Sequence, residues 1–197
     1  MSRPAHRRSR AAGRLSKPPA PPRNVGSPVH NAGMGTPSGT GRSSEPAATR
    51  RYDPWRDVRL NWPQVQVVIE RMTGDLLGEA RNGGRVIALR DGTSAAQRRC
   101  TLAHEIVHLE RGLRDCGPWL YREERVVHRT AACRLITVAD LVAAIRELGG
   151  ADDRAALAQA LDVDSETLSV RLAALDREER RALRRALARC APLWAVA

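Results

Sequence analysis

The sequence predicts an α+β fold: a small antiparallel sheet packed on one central helix, followed by a mostly helical C-terminal part. Three observations carry this. β-branched and alternating runs are concentrated between residues 65 and 89. Residues 94–112 combine the spacing of an N-terminal capping box with an apolar stripe. Beyond residue 120 the apolar residues keep a helical rhythm to the end of the chain.

Residues 1–50 stand apart from that pattern. They hold nine Arg or Lys and one acid, Glu45, a net +8, whereas residues 51–197 carry twenty-four bases and twenty-one acids, a net +3. The stretch is rich in Pro, Gly and Ser, as in Lys17-Pro18-Pro19-Ala20-Pro21-Pro22 and Ser38-Gly39-Thr40-Gly41. It has too little apolar surface to offset the entropy of ordering, so a disordered basic tail is expected. The overall charge of +11 therefore describes mainly the tail, whose default reading is a solvated arm rather than a nucleic-acid-binding one.

Order is expected to begin near Tyr52-Asp53-Pro54-Trp55. Val65 to Ile69 is strand-like, and Leu76 to Arg81 and Arg85 to Leu89 flank Asn82-Gly83-Gly84, the composition of a hairpin loop. Ser94 opens a helix, with Gln97 three residues on to complete a capping box. Leu102, Ala103, Ile106, Val107 and Leu109 supply its apolar stripe, and Gly112 stops it. After a loop over Asp115 to Pro118, with Trp119 as its anchor, a second helix runs from Leu120 through Ile136. Four helical segments follow: Thr137 to Leu148, Asp153 to Leu161, Ser165 to Leu175, and Asp176 to Arg189. Asp176 and Glu179 again have capping-box spacing. The expected division is a tail over 1–50, a core over 51–136 and a helical C-terminal region over 137–197.

Phe is absent, and four Trp and two Tyr are the only aromatics, so the core must be built from Ala, Leu, Val and Ile. Cys100, Cys116, Cys133 and Cys190 are too irregularly spaced for a disulfide framework. With no apolar region behind the N-terminal arginines and no stretch approaching a membrane span, a cytoplasmic, reduced protein is expected, with no membrane partner.

His104-Glu105-Ile106-Val107-His108 reads His-Glu-x-x-His inside the predicted central helix. Residues four apart lie on one helix face, so both imidazoles can reach one metal ion, and Glu105 is placed as a proton acceptor beside them. That is the arrangement a zinc hydrolase needs. A catalytic zinc site takes three protein ligands, so one more is required. Glu110, Asp115, Cys116, Glu123, Glu124 and His128 are the downstream candidates. Glu110 points away from the histidine face, and Asp115 or Cys116 would need a very tight return. Spacing alone does not decide between Glu123 and Glu124, although His128 lies one turn beyond Glu124 on the same face. Tyr121 and His128 are candidate oxyanion stabilisers. Cys100 shares the histidine face, but a free cysteine there is expected to pack as a small hydrophobe.

Two stretches resemble the ImmA/IrrE family of zinc metallo-endopeptidases. Arg98-Arg99-Cys100-Thr101-Leu102-Ala103-His104-Glu105-Ile106-Val107-His108 looks like its active-site helix. Arg122-Glu123-Glu124-Arg125-Val126-Val127-His128-Arg129-Thr130-Ala131-Ala132-Cys133-Arg134-Leu135-Ile136 looks like its second helix. There a ligand glutamate is followed by Asn or Asp four residues on and by an Ala-Ala pair before a paired-aliphatic ending. The resemblance spans about Trp55 to Leu175 and implies a zincin-like fold. It implies Zn2+ bound by His104, His108 and Glu124 rather than Glu123, with Glu105 as general base. It also implies a protein substrate, a regulator such as a phage or mobile-element repressor. The chain departs from the pattern at His128, in the usual Asn/Asp position, and at Thr130, in place of a common aromatic.

Residues Ala155 to Leu172 have helix-turn-helix rhythm, which supplies the rival reading: a DNA-associated regulator with a structural or sensory metal and no cleavage. Asp162, Asp164 and Glu166 crowd the leading end of its second helix, where carboxylates repel phosphates, and only Arg171 favours contact. A helical hairpin packed against the core is the preferred reading, and the basic final helix is expected to be a solvated face.

Overall fold

The computed structural model describes residues 51–112, 119–150 and 152–188. The expectations for residues 1–50, for Asp115 and Cys116, and for the end of the last helix at Arg189 lie outside these. Helix α1 spans Pro54–Asn61, and three strands follow: β1 Gln66–Glu70, β2 Gly78–Arg81 and β3 Val86–Arg90. Helices α2 Ala95–Arg111, α3 Leu120–Leu135, α4 Val138–Leu148, α5 Arg154–Ala160, α6 Ser165–Ala174 and α7 Arg177–Ala188 follow among the described residues. The α+β class with a helical second half is as expected; α1 was not. Its signal is local all the same: Asp53 caps it by accepting the Trp55 and Arg56 N–H groups at 3.0 and 3.2 Å, and Pro54 sits in its first turn.

The sheet corrects one expectation. Its order is β1-β3-β2, with β2 and β3 antiparallel but β1 and β3 parallel, so it is mixed rather than antiparallel. The hairpin forms where predicted, with Asn82, Gly83 and Gly84 all at positive φ (50°, 67° and 80°), a conformation for which glycine carries no side-chain penalty. The chain between β1 and β2 also reverses direction. Two reversals bring β3 back parallel to β1, and β3 takes the central place. Its run Ile87-Ala88-Leu89 is wholly buried, the continuous apolar stretch of an inner strand.

Helix α2 is held from both sides. Its Leu102, Ile106 and Leu109 pack on Ile87 and Leu89 of the sheet and on Val58 and Trp62. Its Cys100, Ala103 and Val107 face a second cluster, with Val127 and Ala131 of α3, Leu141 and Ile145 of α4, Leu157 and Ala158 of α5, and Leu168 of α6. Fully burying one such side chain stabilises by about 1.5–3 kcal/mol, so these two sets of contacts seat α2 firmly. Its ends are as predicted. Ser94 and Gln97 form the reciprocal capping box, and Gly112 ends the helix at φ 87°. Cys100, 5% exposed, is the small core residue the sequence suggested, and burial pushes its thiol pKa up to about 11.

A candidate metal centre between two helices

The wedge of α2 surface between its two buried faces carries His104 and His108, and α3 crosses opposite with Glu124 and His128 one turn apart. The His104 and His108 Nε2 atoms lie 3.0 Å from each other. Glu124 reaches both: Oε2 is 3.3 Å from His104 Nε2 and Oε1 is 3.2 Å from His108 Nε2. Zinc bonded to nitrogen and oxygen at roughly 2.0–2.1 Å in a tetrahedron holds its donors about 3.3–3.4 Å apart. Two imidazoles and a carboxylate thus already stand close to the edges of a coordination polyhedron.

A polar atom left over supports the fit to a cation. Glu124 Oε1 is buried and has no hydrogen-bond partner; His108 is close to it but not aligned as a donor. A buried, unsatisfied carboxylate oxygen is costly unless something positive approaches it. Burial opposes ionisation of Glu124, but the imidazoles outweigh it and hold its carboxyl well below the usual carboxylate range. Burial also lowers the His104 pKa to about 4, leaving that ring neutral with a lone pair to donate. For His108 burial pulls the same way, but Glu124 and Glu105 prevail and raise its pKa.

Glu105 is 5% exposed beside this cluster, and burial raises its pKa to about 7, with Glu124 adding to the rise. A carboxylate near neutrality is matched to accepting and returning a proton. Two of the rival third ligands, both among the described residues, are engaged elsewhere. Glu110 accepts from both Nη atoms of Arg134 at 2.7 and 2.6 Å, and Glu123 forms a two-point pair with Arg111. Of the two adjacent glutamates, α3 turns only Glu124 toward the histidines. His128 is nearby as well: its ring centroid is 4.4 Å from that of His104, and its Nε2 is 3.9 Å from Glu124 Oε2. His104, Glu124 and His128 present ligand atoms that all lie within 4.8 Å of one another.

The sequence pattern described as the IrrE N-terminal-like domain, peptidase family M78, matches residues 64–173. The chain belongs to this family. No curated protein and no solved structure matches the chain. Membership in the ImmA/IrrE family implies a metallopeptidase, and a protease implies a protein substrate. The match runs from β1 through α6, so it takes in the sheet, both helices of the candidate centre and the first three C-terminal helices.

Those last helices hold residues that the sequence did not connect with the site. The cleft containing His104, Glu105, Glu124 and His128 has Leu76, Leu77 and Gly78 on the strand side and Asp164, Glu166, Thr167 and Val170 on the α6 side. These residues lie far apart in the chain and share no local pattern that could have marked them. The second helix of the helix-turn-helix rhythm thus packs against the core, as preferred, and forms a wall of the cleft. Its one base, Arg171, is 2% exposed; Nε donates to the Ile136 carbonyl at 2.7 Å, and the Nη atoms donate to Glu179 at 3.1 and 2.7 Å. Trp119 is not a buried anchor, being 67% exposed, and Tyr121 is 62% exposed outside the cleft lining. Among the described residues no helix is long and apolar enough to cross a membrane.

Proposed function

We propose that this protein is a zinc-dependent endopeptidase in which His104, His108 and Glu124 hold the metal and Glu105 is the general base. The observation that carries this reading is the meeting of the two imidazoles with Glu124, whose buried Oε1 lacks a hydrogen bond, beside the buried Glu105. Two imidazole nitrogens and one carboxylate oxygen form a set that suits zinc. When bound, zinc supplies Lewis acidity toward a peptide carbonyl.

The chain's own residues supply the rest. Glu105 takes the proton of the attacking water and delivers it to the departing amine, a shuttle suited to a carboxylate poised near neutral pH. Leu76, Leu77 and Gly78 at the entry to β2, and Asp164, Glu166, Thr167 and Val170 on the α6 side, bound the space where a peptide lies. The substrate class, a regulatory protein such as a phage or mobile-element repressor, rests on the family resemblance alone. The DNA-associated alternative is disfavoured because Arg171 is consumed inside the fold and the leading end of α6 lines the cleft.

Glu105→Gln is the direct test. The variant should bind zinc as the wild type does and cleave candidate repressors at least 100-fold more slowly, the scale expected for loss of a general base. Zinc content is read by atomic absorption and cleavage by gel and mass spectrometry. Equal cleavage by both proteins refutes the role of Glu105. Salt-dependent DNA binding by a chain lacking residues 1–50, without cleavage, would favour the alternative.

A further inference from the structure

An open catalytic centre keeps one position for the reacting species and takes three protein ligands, whereas four protein donors make a closed, structural-type site. Around Glu124 this chain assembles four. His104 and His108 stand 3.0–3.3 Å from each other and from the carboxylate, and His128 Nε2 lies 3.9 Å from Glu124 Oε2. We propose that His128 is a displaceable fourth ligand. It closes the centre in the absence of substrate and leaves when a carbonyl or carboxylate oxygen enters. This rests on the zinc reading given above.

Three observations single out His128 as the ligand that leaves. It is the loosest of the four, 3.9 Å from the Glu124 carboxylate against 3.3 Å for His104 and 3.2 Å for His108. Its side chain is 37% exposed, against 16%, 13% and 17% for His104, His108 and Glu124, so it can swing toward solvent without opening a cavity in the core. Among the described residues no hydrogen bond fixes its ring, whereas the packed interior of α2 fixes the two α2 histidines. The step is a ligand exchange: one imidazole nitrogen leaves, one oxygen donor arrives, and no bond of the chain is made or broken. The chemical class that displaces it is a small anionic or carbonyl oxygen donor, the class to which a peptide carbonyl and a hydroxamate both belong.

The experiment replaces zinc with Co2+ in the full-length protein and compares the wild type with His128→Ala and His128→Asn. Circular dichroism confirms that the exposed substitutions leave the fold intact. The wild type should show the intense visible absorption of four-coordinate cobalt, with three imidazoles counted by X-ray absorption, and both variants should show two imidazoles and a shifted band. Acetohydroxamate, titrated against that band, should bind each variant at least tenfold more tightly than the wild type, because it no longer competes with an intramolecular ligand. Identical spectra and equal hydroxamate affinity in all three proteins overturn the proposal while leaving the three-ligand zinc reading in place. Failure of the wild type to bind Co2+ or Zn2+ overturns both.

Discussion

Arg171 is almost wholly buried, and a guanidinium out of water is tolerable only when its donors are used. Ile136 and Glu179 use them. The Arg171 hydrogen bond in turn holds the Glu179 carboxyl below its ordinary pKa, against a smaller opposing effect of burial. The folded state therefore binds fewer protons than the unfolded state over that range. The stabilisation is complete above the unfolded carboxylate pKa, about 4.3, and is lost as pH falls through the lower folded value. Glu179→Gln should cost about 1–3 kcal/mol in urea denaturation at pH 7, with the gap from wild type narrowing below about pH 4. A gap independent of pH would show that the charge of Glu179 is immaterial. Single residues were legible where their partners are neighbours in the chain, as with Ser94 and Gln97. The sequence shows Arg171 only as the one base that would favour phosphate contact in a disfavoured DNA reading, because the partners that bury it are not visible from its own helix.

At the scale of elements, α2 shows why the site is placed with such precision. It has one face on the sheet, another on the helices, and the histidines in between. Gly78 of β2 marks how closely strand and helix approach. A Cβ there would stand 2.3 Å from the Thr101 methyl and 3.3 Å from the Ala88 carbonyl oxygen. Gly78→Ala should therefore destabilise the protein by about 1–3 kcal/mol, as overpacking does. Thr101→Ser, which removes that methyl, should recover part of the loss in the double variant. Additive losses in thermal denaturation would mean that the two side chains never meet. Most helices were predicted within a residue or two, because capping and periodicity are local physics. The sheet was read as wholly antiparallel because alternation reports which residues are buried, not which edge of a hairpin an earlier strand will join.

Over the whole molecule, the helices after residue 136 are part of the same packed interior as α2 and α3. Leu157, Leu161 and Leu168 are each 1–2% exposed within it, and Arg99 of α2 donates to the Asp162 and Tyr52 carbonyls at 2.8 and 2.9 Å. Truncation at Gly150 removes three fully buried leucines, each worth roughly 2–5 kcal/mol by the cost of Leu→Ala in a core. That sum is comparable to the roughly 5–15 kcal/mol by which domains are stable. The truncated chain should lose its cooperative thermal transition, as measured by calorimetry. A sharp transition at the wild-type temperature would show that residues 51–150 fold alone.

The sequence by itself determined the α+β class, the helix that carries the His-Glu-x-x-His motif, and the second helix with its adjacent glutamates. Each is written in contacts between residues a few positions apart. Tertiary structure alone decided the parallel partner of β3, the turning of His128 toward His104 and Glu124, and the use of α6 as a wall of the cleft. These depend on how elements approach one another through a shared core, which no single segment encodes.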